Sequence, residues 1–535
     1  MTNIRAVELI FLLLLLFIIA FGQLARKIGT PYPIVMIIGG LILGFVPSVP
    51  HVTLEPDLIF LVVLPPLLYS AAWTTSWRDF RFNIVSILFL AFGLVVFTVL
   101  GVALVTPRVL LGFDWRLGLV LGAVVAPTDA IAATAIAKRI GLPSRIVDVL
   151  EGESLINDAT GLLALQFAIA IIVSRAIPSP LEGILTLLWL IVAGIGIGLL
   201  VGWIVYLLER RIDDGPIEIA ISILVPYAAY LIADEIHTSG VLAVIAAGWF
   251  LSRRSARMLS PAARIQLWSF WESFTFVLNG LVFVLMGLQL PWIWASIHDL
   301  SRVRMIADGV IFSVVLIVLR LIWVFPGYWL ANFVRCRIRH IREKPPRPRE
   351  VFVVGWTGMR GVVSLAAVLA LPTVLADGSP FPQRDFLVFL TFCVILVTLV
   401  LQGVTLPPLV RALGLEGSAG PSCEEKEARR LVAEAALSHL ESIRVEGRDV
   451  AEEILEDLIG HYRHRLAGLD PAAADPEHVT HLLSFTEISR ETAAVERDTA
   501  VRLRNEGRIN DQVLRRLERE LDFGESRFTA ASDDD

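Results

Sequence analysis

Apolar residues gather into thirteen long stretches, at approximately 5–25, 32–48, 55–74, 83–106, 116–138, 144–174, 184–208, 215–235, 238–252, 264–289, 303–332, 351–376 and 385–410. Crossing about 30 Å of hydrocarbon at about 1.5 Å per residue takes roughly 20 residues of helix. The pattern therefore predicts an all-α polytopic membrane protein with thirteen transmembrane helices over residues 1–415. After 416 the chain turns polar, with apolar residues at helical spacing in Val432, Ala436, Leu440 and Ile443, then Leu455, Leu458 and Ile459. That periodicity predicts amphipathic helices in a tail over 416–535. The first stretch runs on into Gln23, Arg26 and Lys27 without a small-residue cleavage site, so it is expected to stay as a helix.

Lys and Arg resist crossing a membrane, so their placement tests the count independently of hydropathy. Loops one, three, five, seven, nine and eleven carry Arg26/Lys27, Arg78/Arg81, Lys138/Arg139/Arg145, Arg210/Arg211, Arg253/Arg254/Arg257/Arg264 and a cluster from Arg335 to Arg349. The even loops hold only Arg108, Arg116, Arg175, Arg302, Arg304 and Arg384. This asymmetry puts the odd loops and the tail in the cytoplasm and the N-terminus outside, in a plasma (inner) membrane.

Composition agrees: 56% of residues are hydrophobic, only 18% are charged, and the mean hydropathy is +0.70. A soluble protein is excluded on that balance. The tail from 421 carries a net charge of −11, against +5 for residues 1–420, so the two parts are built for different solvents. Three scattered cysteines have no metal-ligand spacing, and no cofactor is expected. There is no basic domain to bind nucleic acid. Neither His-Glu-x-x-His nor Gly-x-Ser-x-Gly occurs, which argues against an enzyme.

Charges inside the apolar stretches cost at least about 2.5–3.5 kcal/mol each, and they concentrate in two places. In the fifth stretch, Ala126-Pro127-Thr128-Asp129-Ala130 lies near the middle, and Pro127 is expected to break the helix there. Freed carbonyls beside Asp129 would give hard oxygen ligands for a cation. The sixth reads Glu151-Gly152-Glu153-Ser154-Leu155-Ile156-Asn157-Asp158. Helical spacing puts Ser154 and Asp158 on one face, with Glu153 and Asn157 on the adjoining stripe. The same polar groups would also serve as an internal network locking helix to helix.

Two arginines interrupt the later stretches: Arg320 in the eleventh and Arg360 in the twelfth. An intramembrane guanidinium needs a carboxylate, and Glu153 is the expected partner of Arg360, as a structural pair. If stretches 1–6 and 8–13 form an inverted repeat, the fifth corresponds to the twelfth. Both carry breakers, Pro127 in one and Gly358, Gly361 and Pro372 in the other, as paired discontinuous helices would. Gly40-xxx-Gly44 and Gly194-xxx-Gly198-xxx-Gly202 would allow close helix approach, within the chain or between copies.

Taken together, Pro127-Thr128-Asp129, Gly152-Glu153-Ser154-Leu155-Ile156-Asn157-Asp158-Ala159 and Gly358-Met359-Arg360-Gly361-Val362-Val363-Ser364-Leu365 resemble the signature segments of the monovalent cation:proton antiporter-1 family, the Na⁺/H⁺ exchangers. The resemblance implies an elevator-type antiporter, typically a homodimer, whose substrates are Na⁺, or K⁺ or Li⁺, and H⁺. It implies that Asp158 is alternately protonated and cation-bound. Asp129, Ser154 and Thr128, the last through its backbone oxygen, would complete the cation's shell, with Asn157 shaping the site. The Asn157-Asp158 pair is similar to that of electroneutral members, and Glu153 with Arg360 matches the family's stabilising ion pair. Ser70 stands where many relatives carry an acid. A proton-coupled symporter or a cation channel on the same scaffold is the alternative.

Overall fold

The computed structural model describes residues 2–46, 58–174, 180–212, 214–297, 301–339, 347–375, 379–415, 423–446 and 451–469, with scattered tail residues from 488 to 521. The chain divides into two compact units, Met1–Gly417 and Ser418–Asp535.

The first unit is built of helices. They are α1 (Thr2–Ile28), α2 (Tyr32–Gly44), α3 (Leu64–Thr74), α4 (Trp77–Leu88), α5 (Leu94–Val109), α6 (Trp115–Val125), α7 (Ala130–Arg139), α8 (Ser144–Ser174) and α9 (Pro180–Glu209). There follow α10 (Gly215–Glu235), α11 (Gly240–Ser252), the single turn α12 (Ser255–Met258), α13 (Pro261–Ser296), α14 (Arg302–Arg339), α15 (Pro348–Trp356), α16 (Val362–Leu369), α17 (Arg384–Val397) and α18 (Gly403–Leu413). Among the described residues, β-structure amounts to one bridge between Val374 and Pro380.

Among the described residues, eight continuous helical segments are long and apolar enough to cross a membrane, α4 with α5 and α17 with α18 each counting as one, and four shorter ones are apolar: Tyr32–Gly44, Ile59–Thr74, Trp115–Val125 and Gly240–Ser252. The stretch expected at 351–376 yields two helices, α15 and α16, each too short to span alone. The number thirteen thus rests on the sequence pattern, while the all-helical membrane architecture is plain. A bilayer has no donors for stray backbone groups, so the chain must satisfy its own. At Pro66, which has no N–H, the carbonyl of Val62 one turn back accepts the Tyr227 hydroxyl at 2.9 Å. The backbone widens there into a π-turn, Ile59–Val63, and again at Phe89–Gly93 and Thr398–Gln402. Trp323 Nε1 and the Thr160 hydroxyl bond to the carbonyls of Phe89 and Ala91.

Small residues set the closest helix contacts. A Cβ on Gly40 would fall on the carbonyl of Val284, and one on Gly287 on that of Ile37, so α2 and α13 meet backbone to backbone. Gly194 and Gly198 press likewise on Ser239, which caps α11, and on Ala243 within it. Both small-residue spacings in the sequence are used within this chain. The opposite pattern marks the periphery, where Leu185, Leu188, Trp189 and Val192 of α9 are all more than half exposed, an apolar face suited to lipid.

In the second unit, α19 (Cys423–Glu446) packs against α20 (Glu452–Leu469). Ala433, Leu455 and Ile459 are buried, whereas Val432 and Leu458 stay exposed. The ion pairs between the two helices, such as Arg463–Glu441 at 3.4 Å, are exposed on both sides and add little stability.

Candidate functional site

Helix α6 stops at Val125 and α7 resumes at Ala130, because Pro127 has no N–H to continue the ladder and its ring crowds the preceding turn. The corresponding break in the other half runs from the end of α15 at Trp356 to the start of α16 at Val362. The two breaks cross: the backbone N–H of Asp129 donates to the carbonyl of Met359 at 2.8 Å. Gly361 makes that crossing possible, since a Cβ there would collide with the Asp129 carboxylate. The crossing is further tied to the π-turn that follows α17, where the Thr398 hydroxyl accepts the N–H of Arg360 at 3.2 Å.

Each break leaves carbonyls without helical partners, and an arginine takes them in both halves. Arg360 Nε donates to Val125 O at 2.8 Å, at the end of α6, and its Nη1 donates to Gly358 O. Arg320 of α14 donates from Nε to Gly355 O at 3.1 Å and from Nη2 to Val354 O at 3.0 Å, at the end of α15. A cation at a helix C-terminus also meets the negative end of the helix dipole.

The expected pairing of Glu153 with Arg360 is corrected here. Glu153 is held end-on by Arg320, with Nη1 at 2.6 Å from Oε1 and Nη2 at 3.0 Å from Oε2. The reason is geometric: Arg320 reaches the carboxylate and the end of α15 together, while the Arg360 guanidinium is spent on the end of α6. Gly358 lets the two arginines pass, because a side chain at that position would strike both. Glu153, Arg320 and Arg360 are all at most 2% exposed.

Helix α8 runs beside the crossing and holds Thr128 from three directions. Ser154 Oγ donates to Thr128 O at 2.7 Å, Asn157 Nδ2 donates to Thr128 Oγ1 at 2.6 Å, and that hydroxyl in turn donates to Glu153 Oε1 at 3.4 Å. An unwound segment in an apolar interior would otherwise carry unmet polar groups, each costing about 1–3 kcal/mol. Thr128 is therefore the hub that joins the break to α8.

A cavity of about 290 Å³ opens onto this hub. Four of the residues expected to bind cation, Thr128, Asp129, Ser154 and Asp158, line it, and the fifth, Asn157, does not. Asn157 is 1% exposed and sits behind the cavity wall, where it positions Thr128. Asp158 is 6% exposed, and its Oδ1 has no hydrogen-bond partner among the described residues. Asp129 lines the same cavity, so the two aspartates share it. Ser70 reaches the cavity as well, so a hydroxyl stands where an acid would add charge.

Several lining residues are not evident from the sequence. Tyr32 of α2, Thr275 and Asn279 of α13 and Ser364 of α16 line the cavity too. Asn279 is a polar residue in the middle of an apolar stretch, and that was a signal available in the sequence. Ser364 lies inside the signature segment Gly358–Leu365, but nothing in its spacing placed it on the cavity.

A unit of long apolar helices with two crossed, interrupted helices and buried carboxylates on one cavity is the architecture of a secondary ion transporter. The chain belongs to the sodium/hydrogen exchanger family, whose transmembrane region matches residues 11–412. It is 35% identical over 515 residues to a Na⁺/H⁺ exchanger of Mycobacterium tuberculosis, covering 94% of this chain and 92% of that protein. To a sodium, potassium, lithium and rubidium/H⁺ antiporter of Bacillus pumilus it is 33% identical over 455 residues, 82% of this chain and 66% of that one. Its fold is similar to that of the sodium proton antiporter NhaP1 of Methanocaldococcus jannaschii, with a TM-score of 0.59 at 19% identity, over 78% of this chain and all of that one.

Proposed function

We propose that this protein exchanges a monovalent cation for protons across the membrane, with Na⁺ as the first substrate to test, and that both ions compete for Asp158. The observation that carries the reading is Asp158 itself, a buried carboxylate with an unpartnered oxygen on a cavity shared with Asp129, the Thr128 carbonyl and the Ser154 hydroxyl. A bare carboxylate in so apolar a setting is costly, so either a proton or a cation neutralises it. Relatives named as Na⁺/H⁺ exchangers, and one named for four alkali cations, support the substrate class.

Exchange follows from which states can move. The neutralised site passes between the two faces of the membrane, while the charged, empty site is held back by the hydrophobic barrier. Asn157 beside Asp158 leaves one titrating carboxylate in the pair, which suits one-for-one, electroneutral exchange. Glu153 stays bound to Arg320 as a structural pair and takes no part in the cycle. The working unit is a homodimer in the plasma membrane, with the N-terminus outside and the acidic tail in the cytoplasm.

Reconstituted vesicles with an imposed pH gradient test this directly. Adding Na⁺, Li⁺ or K⁺ on one side should dissipate the gradient, with cation and proton moving oppositely. Movement in the same direction would replace exchange by symport, and a current would replace it by a channel.

A further inference from the structure

The cation's expected shell comes from one side of the cavity: Asp158 and Ser154 on α8, and Thr128 and Asp129 in the adjoining break. That is four groups, while hard cations stripped of water are generally held by about six oxygens. Two further residues on the cavity carry an oxygen with the same peculiarity as Asp158 Oδ1. Asn279 and Ser364 line the cavity and are 4% and 1% exposed, and neither Asn279 Oδ1 nor Ser364 Oγ has a hydrogen-bond partner among the described residues. Buried polar atoms without a partner are costly and uncommon in folded proteins, so two such residues on one cavity call for a ligand.

Their placement is informative. Ser364 lies in the first turn of α16, three residues after Gly361, whose backbone abuts the Asp129 carboxylate. Asn279 projects from α13; its amide nitrogen is in hydrogen-bond reach of the Tyr32 hydroxyl of α2, which leaves Oδ1 as the unmet atom. One oxygen thus reaches the site from the second broken helix, and the other from a helix outside both breaks. Both are neutral, so they add ligands without adding charge. Selectivity among alkali cations depends on ligand number and cavity size, and these are the terms that neutral oxygens control.

We propose that Ser364 and Asn279 supply ligands to the transported cation and decide which alkali ion the site prefers. This inference rests on the reading of Asp158 as the exchange site, and it extends that site to a second wall.

The test is cation binding by the purified full-length protein, followed as thermal stabilisation on titration with NaCl, LiCl or KCl at constant ionic strength. A ligand that binds only the folded state raises the melting temperature in proportion to its affinity. Ser364→Ala and Asn279→Ala should each weaken the preferred cation by roughly tenfold, the equivalent of one lost ligand at about 1.4 kcal/mol per tenfold. They should also change the order of Na⁺, Li⁺ and K⁺. Asn279→Asp, which keeps the oxygens, should keep or tighten binding, and this separates a ligand from a packing role. If wild type responds to cations and both alanine variants respond with the same affinities and order, the proposal is overturned and the Asp158 reading stands. If wild type shows no cation response at all, both fall together.

Discussion

Arg320 grips Glu153 end-on, at 2.6 and 3.0 Å, and the same guanidinium bonds to the last carbonyls of α15. One side chain thereby joins α14, α8 and the second broken helix. Because Glu153 also accepts the Thr128 hydroxyl, the pair supports the cation cavity from behind.

Removing one partner of a buried ion pair strands the other charge, at a cost of about 3–5 kcal/mol. Arg320→Ala should therefore lower the melting temperature of the detergent-solubilised protein sharply. Arg360→Ala strands no carboxylate and should cost less, about 1–3 kcal/mol for the carbonyls it leaves unmet. Thermal unfolding of the two variants side by side checks the order, and a reversed order would restore Arg360 as the partner of Glu153.

The contact between Gly361 and Asp129 gives a second expectation. Gly361→Ala puts a methyl where the Asp129 carboxylate lies, forcing the breaks apart by an ångström or so. Displacements of about 1 Å can cost about a hundredfold in a preorganised site. Cation-driven proton flux should fall by at least tenfold, and ordinary flux in the Gly361→Ala variant would show that the crossing tolerates separation.

Thr128 offers a cleaner separation of roles. Its carbonyl faces Ser154 and its hydroxyl bridges Asn157 and Glu153. Thr128→Val keeps the carbonyl, so exchange should persist at roughly a tenth of the rate, the hydroxyl acting only as a brace worth about 1–1.5 kcal/mol. Thr128→Ser should restore it. Complete loss in the valine variant would assign the hydroxyl, rather than the carbonyl, to the cation.

Competition for one carboxylate fixes the sign of the pH dependence. Protonated Asp158 cannot hold a cation, so acidification must weaken binding, and alkali must strengthen it until the group is fully ionised. On the acid side the half-saturating Na⁺ concentration should rise about tenfold per pH unit, one proton being displaced per cation. Initial rates of exchange against Na⁺ concentration at several pH values measure this slope, and a slope near two would bring Asp129 into the titration.

Much of this was legible in the chain. Hydropathy and the placement of Lys and Arg gave the helical membrane unit, and Pro127, Gly358 and Gly361 gave the two breaks, because those residues act through local backbone geometry. The spacing of Ser154 and Asp158 placed those two on one face and Asn157 on the adjoining stripe, since a helix fixes its own faces. What spacing does not fix is which element packs against which. Glu153 had two intramembrane arginines to choose from, and only the tertiary path of α14 shows that Arg320 arrives first. That Asn279 and Ser364 share a cavity with Asp158 was hidden for the same reason, both being more than a hundred residues from it in sequence and on helices whose packing no local pattern encodes.

The account stands on Asp158 as the group that cation and proton share. Its most direct test is Asp158→Asn in proteoliposomes, with proton movement followed on adding Na⁺ outside acid-loaded vesicles. The account predicts a folded protein, judged by thermal unfolding and size exclusion, with no cation-dependent proton flux. Flux retained at the wild-type level in that variant would contradict it.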